Sequence, residues 1–414
     1  MKFLVFIFQI LLSRISNAII FSFQRKIKTL SNFNEYLMQN DLITEIKIGT
    51  PQQKISVLIK GDEHPFYISQ SNGTYNENTS TTYKKISEGE TVIYTESFKN
   101  YYLSTETFQM ENTNNTNLTI KNFTFIYAIN SYNYTFLYPA IIGLYHKDYT
   151  HLKGYNLIYL LKQYEIVNNH AFSIEYKDEN KGKLYLGDYF HNFNNSYQES
   201  NFLQIYSSFQ GVGYVWGSHF NNVYYNNISL EDQAYNFYFN LTLPGIVVTN
   251  TFKNILEKNL FNNDLCEKNN IDNNKYYAYV CNKKFEYKQF KELKFYHKET
   301  NYTFILNYND LFKEENGKIY CLLLFKTYSS ITWFLGEPFL KKYTFSFNQE
   351  NKLMGFYKNI IVNNNYSYTW VLITILILIC LFLTFLLVKN FINKPRKLRA
   401  NELEDNYDYI SKIN

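Results

Sequence analysis

Residues 41–68 read DLITEIKIGTPQQKISVLIKGDEHPFYI. Two strand-like runs, Leu42–Ile48 and Ile55–Ile59, flank a turn made of Gly49, Thr50, Pro51 and Gln52. The first run alternates, Ile46 and Ile48 against Glu45 and Lys47, which predicts a strand with one face buried and the other wet. Val57, Leu58 and Ile59 are apolar in succession and predict a strand buried on both faces. Pattern by itself gives a hairpin in a β-rich domain.

The wording goes further. Ile46 to Gln53 spells I-x-I-G-T-P-x-Q ahead of a hydrophobic strand, and Ser80-Thr81-Thr82-Tyr83 and Ala140-Ile141-Ile142-Gly143-Leu144 follow. Far along the chain, Trp333 to Tyr343 reads W-F-L-G-E-P-F-L-K-K-Y, close to W-x-L-G-D-x-F-L-x-x-Y with Glu337 at the Asp position, and Lys352 to Phe356 closes the segment. These motifs resemble the pepsin-like aspartic proteases, and within that family most the plasmepsins of malaria parasites. The resemblance spans roughly Asn40 to Tyr357, strong at both ends and weak between. It implies an all-β fold with short helices, a bilobal double β-barrel with lobes at 41–204 and 205–360.

In that family the second strand of the hairpin delivers a catalytic Asp-Thr-Gly nine residues after the turn proline. Lys60 stands at that spacing, followed by Gly61 and Asp62, and Tyr67 takes the place of a tryptophan seven residues on. Within Ala234 to Thr242, Asn240 best matches the second catalytic position, with Phe239 the alternative if the register slips by one. Tyr94, in a hairpin over Glu90 to Phe108, aligns with the flap tyrosine. Thr95-Glu96-Ser97-Phe98 replaces the glycines that let such a flap bend. Pepsin-type hydrolysis needs two carboxylates sharing a proton. An ammonium has no acceptor and an amide does not titrate, so no catalytic residue is expected. Lys60 is expected to meet Asn240, directly or through water, or to be neutralised by Asp62 or Glu63.

The resemblance also implies a Cys281–Cys321 disulfide, leaving Cys266 over, and an oxidising compartment permits one. No cysteine spacing fits a zinc site, and His64 is a lone histidine beside Glu63, so neither metal nor cofactor is expected.

The 414 residues carry a formal charge of +5, scattered along the chain, which argues against a nucleic-acid partner. The 41 Tyr, 36 Phe and recurring Asn tracts match a coding bias of AT-rich genomes, as in apicomplexans. Residues 1–18, with Lys2, the apolar Phe3–Leu12 run and Ser16-Asn17-Ala18, predict a cleaved signal peptide. A short lead, 19–40, follows, with no counterpart to a long basic prosegment. Trp370 to Val388 lacks any charge and predicts a membrane span, with Cys380 inside it. Lys389, Lys394, Arg396, Lys397 and Arg399 come next, placing the tail, 389–414, in the cytosol. Sequons from Asn72 to Asn365 fit a glycoprotein, and Tyr407-Asp408-Tyr409-Ile410 has the form of a trafficking signal.

The expectation is therefore a catalytically inactive pepsin-fold ectodomain on a single-pass type I anchor, acting by binding a protein partner. A parasite cell surface or secretory organelle, such as that of microgametes, is the home the resemblance suggests. An anchored aspartic endopeptidase with an altered site is the second reading, and an assembly or trafficking factor for secretory vesicles is the third.

Overall fold

In the computed structural model, Leu42–Ile48 pairs antiparallel with Gln53–Lys60, from Leu42 opposite Ile59 to Ile48 opposite Gln53. Leu42, Thr44, Ile46 and Ile48 face inward and Glu45 faces water, as the alternation dictates. Gly49 at φ 87° makes the turn, a conformation glycine adopts without a Cβ penalty. Ser80 and Thr81 brace it, Thr50 N donating to Ser80 Oγ and Thr81 N to Thr50 O.

The structure describes residues 18–27, 29–38, 41–61, 65–70, 75–90, 100–129, 140–144, 156–178, 180–206, 216–231, 235–261, 264–328 and 330–358. Toward the C-terminus it describes residues 378, 382, 384–386, 388 and 389. The chain divides into two units, Met1–Ile360 and Ile361–Asn414.

Within the first unit, one long sheet gathers strands from the start, middle and end of the chain. Phe202–Tyr206, Leu353–Tyr357, Phe345–Asn348, Ala171–Tyr176 and Lys181–Leu186 lead to Ile19–Arg25 and on to the hairpin. Gln53–Lys60 then pairs parallel with Ala140–Gly143, which borders Phe66–Ser69; the long Asn117–Ile129 and Asn100–Asn112 strands follow in turn. A second sheet repeats this plan, Tyr235–Phe239 pairing parallel with Trp333–Leu335 and Ile246–Val248 with Leu323–Lys326. Trp216, buried, sits where the halves meet, its indole donating to Leu144 O and its ring packed on Phe172 and Phe347. The fold is thus mostly β, with short helices and two lobes built on one scheme.

The lead at 19–40 is part of that fold. Ile19–Arg25 pairs with Lys181–Leu186 and touches the hairpin at Gln24 and Arg25. The helix Phe33–Met38 lays Phe33, Tyr36 and Leu37 on the outer face of the second sheet, against Val247, Ala278, Tyr320, Leu322 and Leu324. Lys313 donates to Tyr36 Oη, and Glu315 accepts from Leu30 N.

The disulfide departs from the family pairing. Cys266, on Cys266–Ile271, lies directly opposite Cys281 on Tyr276–Asn282, and the two are bonded. On the other side of Cys281 stands Ile319, so Cys321 is offset by two residues and stays a buried thiol. Directly opposed strand residues bring their Cβ atoms within about 5 Å, diagonal ones only to about 7–8 Å. Register thus selects Cys266 over Cys321. The bond closes a 15-residue separation, worth about 3 kcal/mol in the chain-entropy picture.

In the second unit, Leu378, Phe382, Phe385, Leu386 and Val388 are helical and exposed. Among the described residues no helix is long and apolar enough to cross a membrane. Most of 370–388 lies outside the described residues, as do 1–17, Asp62 to His64 and Tyr94.

Candidate functional site

Each lobe ends its central parallel strand pair in a loop, and the two loops meet. Gln53–Lys60 delivers Lys60 and Gly61, and Leu144 N donates to Lys60 O at 2.8 Å. Tyr235–Phe239 delivers Asn240, whose N–H donates to Leu335 O at 3.0 Å and ties the second loop to its neighbouring strand. A Cβ placed on Gly61 would lie 3.1 Å from Leu241 Cβ, so the loops are in contact and Gly61 has little room for a side chain. Beneath them, Gly336 is closer still: a Cβ there would come within 2.3 Å of Leu243 O.

The Lys60 ammonium bonds Asp41 Oδ1 at 2.7 Å. Asp41 immediately precedes the hairpin's first strand, and the Leu42–Ile59 register sets it across from Lys60. The Lys60 side chain is 22% exposed and that of Asp41 7%, so the pair stands at the edge of solvent with its acid inside. The expected Lys60–Asn240 partnership gives way to this one. The Asn240 side-chain oxygen turns back on its own loop and accepts from Thr242 N, Leu243 N and Thr242 Oγ1 at 3.1–3.2 Å. Phe239 points the other way, buried against Phe339 and Phe345.

Buried groups hold the second loop from below. Tyr176 Oη donates to Leu241 O at 2.6 Å, and burial raises the pKa of that phenol. Arg25 Nη1 reaches Thr242 O at 3.4 Å while its guanidinium pairs with Glu337, both nearly dry. Burial is the largest influence on the Arg25 pKa and works to lower it, but Glu337 together with Tyr176 and Tyr36 makes the net shift upward, so the charge is retained. Buried ion pairs are costly to form and costlier to break from one side. This one ties the lead strand to the helix Glu337–Lys342.

Sequence reasoning passed over Asp41, Arg25 and a wall beside the second loop. On the strands that carry Asn240, Tyr238 and Phe334 stack side by side with ring centres 5.4 Å apart, both half-buried. Lys326 Nζ lies 4.9 Å from the Phe334 ring. Among the described residues no group of three His, Cys, Asp or Glu gathers to hold a metal ion.

Two β lobes, each ending a parallel strand pair in a loop that meets its counterpart, are the architecture of aspartic proteases. The eukaryotic aspartyl protease family matches residues 41–359, and the chain belongs to it. Among solved structures it is similar to the basic 7S globulin from soybean, 11% identical over 84% of this chain and 96% of that one, with a TM-score of 0.60. It is likewise similar to conglutin gamma, a basic 7S globulin from lupine seeds, at 12% identity, 83% and 96% coverage and a TM-score of 0.61. At these identities the likeness concerns the fold. No curated protein matches the chain.

Proposed function

We infer that the chain is a non-catalytic member of the aspartyl protease family, whose cleft binds peptide or protein without cutting it. The ion pair of Lys60 with Asp41 carries this reading. Lys60 and Asn240 stand at the ends of the two strands whose loops face each other, where the family's chemistry uses a proton-sharing carboxylate pair. An ammonium held by an acid and an amide held by its own loop offer hydrogen bonds to a ligand but no proton-sharing carboxylate pair, since the carboxylate of Asp41 is engaged by Lys60. The 370–388 segment displays this domain on a surface or secretory-organelle membrane, with 389–414 on the cytosolic side.

The intact chain, purified in detergent, is to be incubated with a broad peptide library at acidic and neutral pH, with and without pepstatin. No cleavage and no tight pepstatin binding are expected, because pepstatin's hydroxyl finds no carboxylate pair. Pepstatin-sensitive cleavage that survives Lys60→Ala and disappears with Asp62→Ala would overturn the reading and restore an enzyme.

A further inference from the structure

The outer face of the second sheet is only partly roofed. The helix Phe33–Met38 covers Val247, Leu322 and Leu324. Further along the same face lie Tyr238, Phe334 and Lys326, with Tyr328 and Ile331 on the following loop, 53% and 72% exposed. Register confirms the shared face: Tyr238 pairs with Phe334, and Val247 pairs with both Phe334 and Leu324, two residues before Lys326.

Lys326 is the unusual member. The residue is only 8% exposed, yet among the described residues its ammonium meets rings rather than a carboxylate, 4.9 Å from Phe334 and 5.3 Å from Tyr328. Lys253 adds a second positive charge, its Nζ donating to Lys326 O at 3.4 Å. The acid on the Lys253 helix, Glu257, is held by Lys268, Tyr277 and Tyr279. Cation–ring contacts hold an ammonium more weakly than a carboxylate partner does. Exposed Tyr328 and Ile331 beside an ammonium that, among the described residues, meets rings and no carboxylate make a surface suited to a ligand with an apolar group beside a negative one.

We propose that Lys326, with Phe334, Tyr328, Tyr238 and Ile331, recognises a peptide carboxylate that follows an aromatic or aliphatic residue. The carboxylate bonds the Lys326 ammonium, and the apolar side chain lies on the rings and on Ile331. The inference rests on the cleft reading above and gives it a ligand class. Tyr238 lies two residues before Asn240, which puts this surface beside the second loop.

The test uses the intact chain in detergent and fluorescently labelled hexapeptides, read by polarisation. One blocked peptide carries Phe-Asp at its centre and a second carries Phe-Asn. A third ends in Phe with a free carboxylate, and a fourth ends in the same Phe amidated. Whichever carboxylate source is used, the acid is expected to bind at least tenfold more tightly than its amide. The two acid arms separate an internal Asp from a chain end. Lys326→Met should erase that preference and Lys326→Arg should keep it, with thermal melts confirming that both variants are folded. Equal binding of acid and amide, or a preference that survives Lys326→Met, overturns the inference. If the amides bind regardless of Lys326 and no peptide is cut, the non-catalytic cleft stands and only this ligand class falls. If no peptide binds at all, this inference falls, and the cleavage assay judges the cleft reading separately.

Discussion

Replacing Lys60 by methionine keeps the length of the side chain and removes the charge that faces Asp41. The carboxylate left behind has a side chain 7% exposed, and its partner came within 2.7 Å. Removing one partner of a fully buried ion pair costs about 3–5 kcal/mol. Lys60 is 22% exposed, so water reaches the gap and the loss should be about 2 kcal/mol. Asp41→Asn leaves an ammonium nearer to water and should lose about 1 kcal/mol. Together, Lys60→Met and Asp41→Asn leave no charge at all, and the double variant should recover about 1 kcal/mol of the summed losses. The assay is urea unfolding of the intact chain at neutral pH, with the cycle repeated at high salt. A pair this enclosed should keep most of its coupling there, whereas an exposed one would be screened. Losses that add within about 0.3 kcal/mol would show that the two side chains do not act together.

Two further outcomes are expected. Non-reducing peptide mapping should recover Cys266 linked to Cys281, and maleimide at pH 8 should leave Cys321 unlabelled until urea is added, because burial pushes that thiol up to about 12. A Cys281–Cys321 peptide, or rapid labelling of the folded protein, would refute this. His297 is 2% exposed, with Nδ1 against Thr300 Oγ1 and Nε2 near Ser218 Oγ. Burial lowers its pKa, and the pull of Glu299 in the other direction is weaker. The unfolded chain therefore takes up this proton first. The stability contributed is complete above the ordinary imidazole value of about 6.5 and is lost as pH falls through the folded value. The melting temperature should drop between pH 7 and pH 5 and do so less in His297→Gln; an unchanged slope would remove His297 from the account.

Much of the fold was legible because its signals are local. Alternation in Leu42–Ile48, the glycine of the turn and the Trp333–Tyr343 motif each act within a few residues. The partner of Lys60 was legible too, though not through spacing to Asp-Thr-Gly. Counting back along the hairpin from Ile48 opposite Gln53 places Asp41 across from Lys60. The disulfide was harder, since Cys266 and Cys321 are both candidates until the strands flanking Cys281 are in register. Arg25 with Glu337 lies beyond such counting, for no pattern in the lead announces a partner on a helix near the other end of the chain. The surroundings of Lys326 are hidden for a different reason: a lysine at the end of a strand is commonplace, and only the rings that the fold brings beside this one mark it out.

The strand Ile19–Arg25 also bears on the order in which the molecule comes together. Ile19 pairs with Leu186, and Arg25 meets Glu337. Closing such distant contacts costs loop entropy before any burial repays it, which makes assembly slow. During synthesis this strand emerges early with Ile19, Ile20, Phe21 and Phe23, all buried in the finished fold, and with its edges unpaired. An apolar strand in that state invites aggregation and is a natural client for chaperones. The long sheet is complete only when Leu353–Tyr357 has paired with Phe202–Tyr206 and Phe345–Asn348. A ribosome paused ahead of residue 353 would hold a lobe whose first strand is in place and whose sheet is still open.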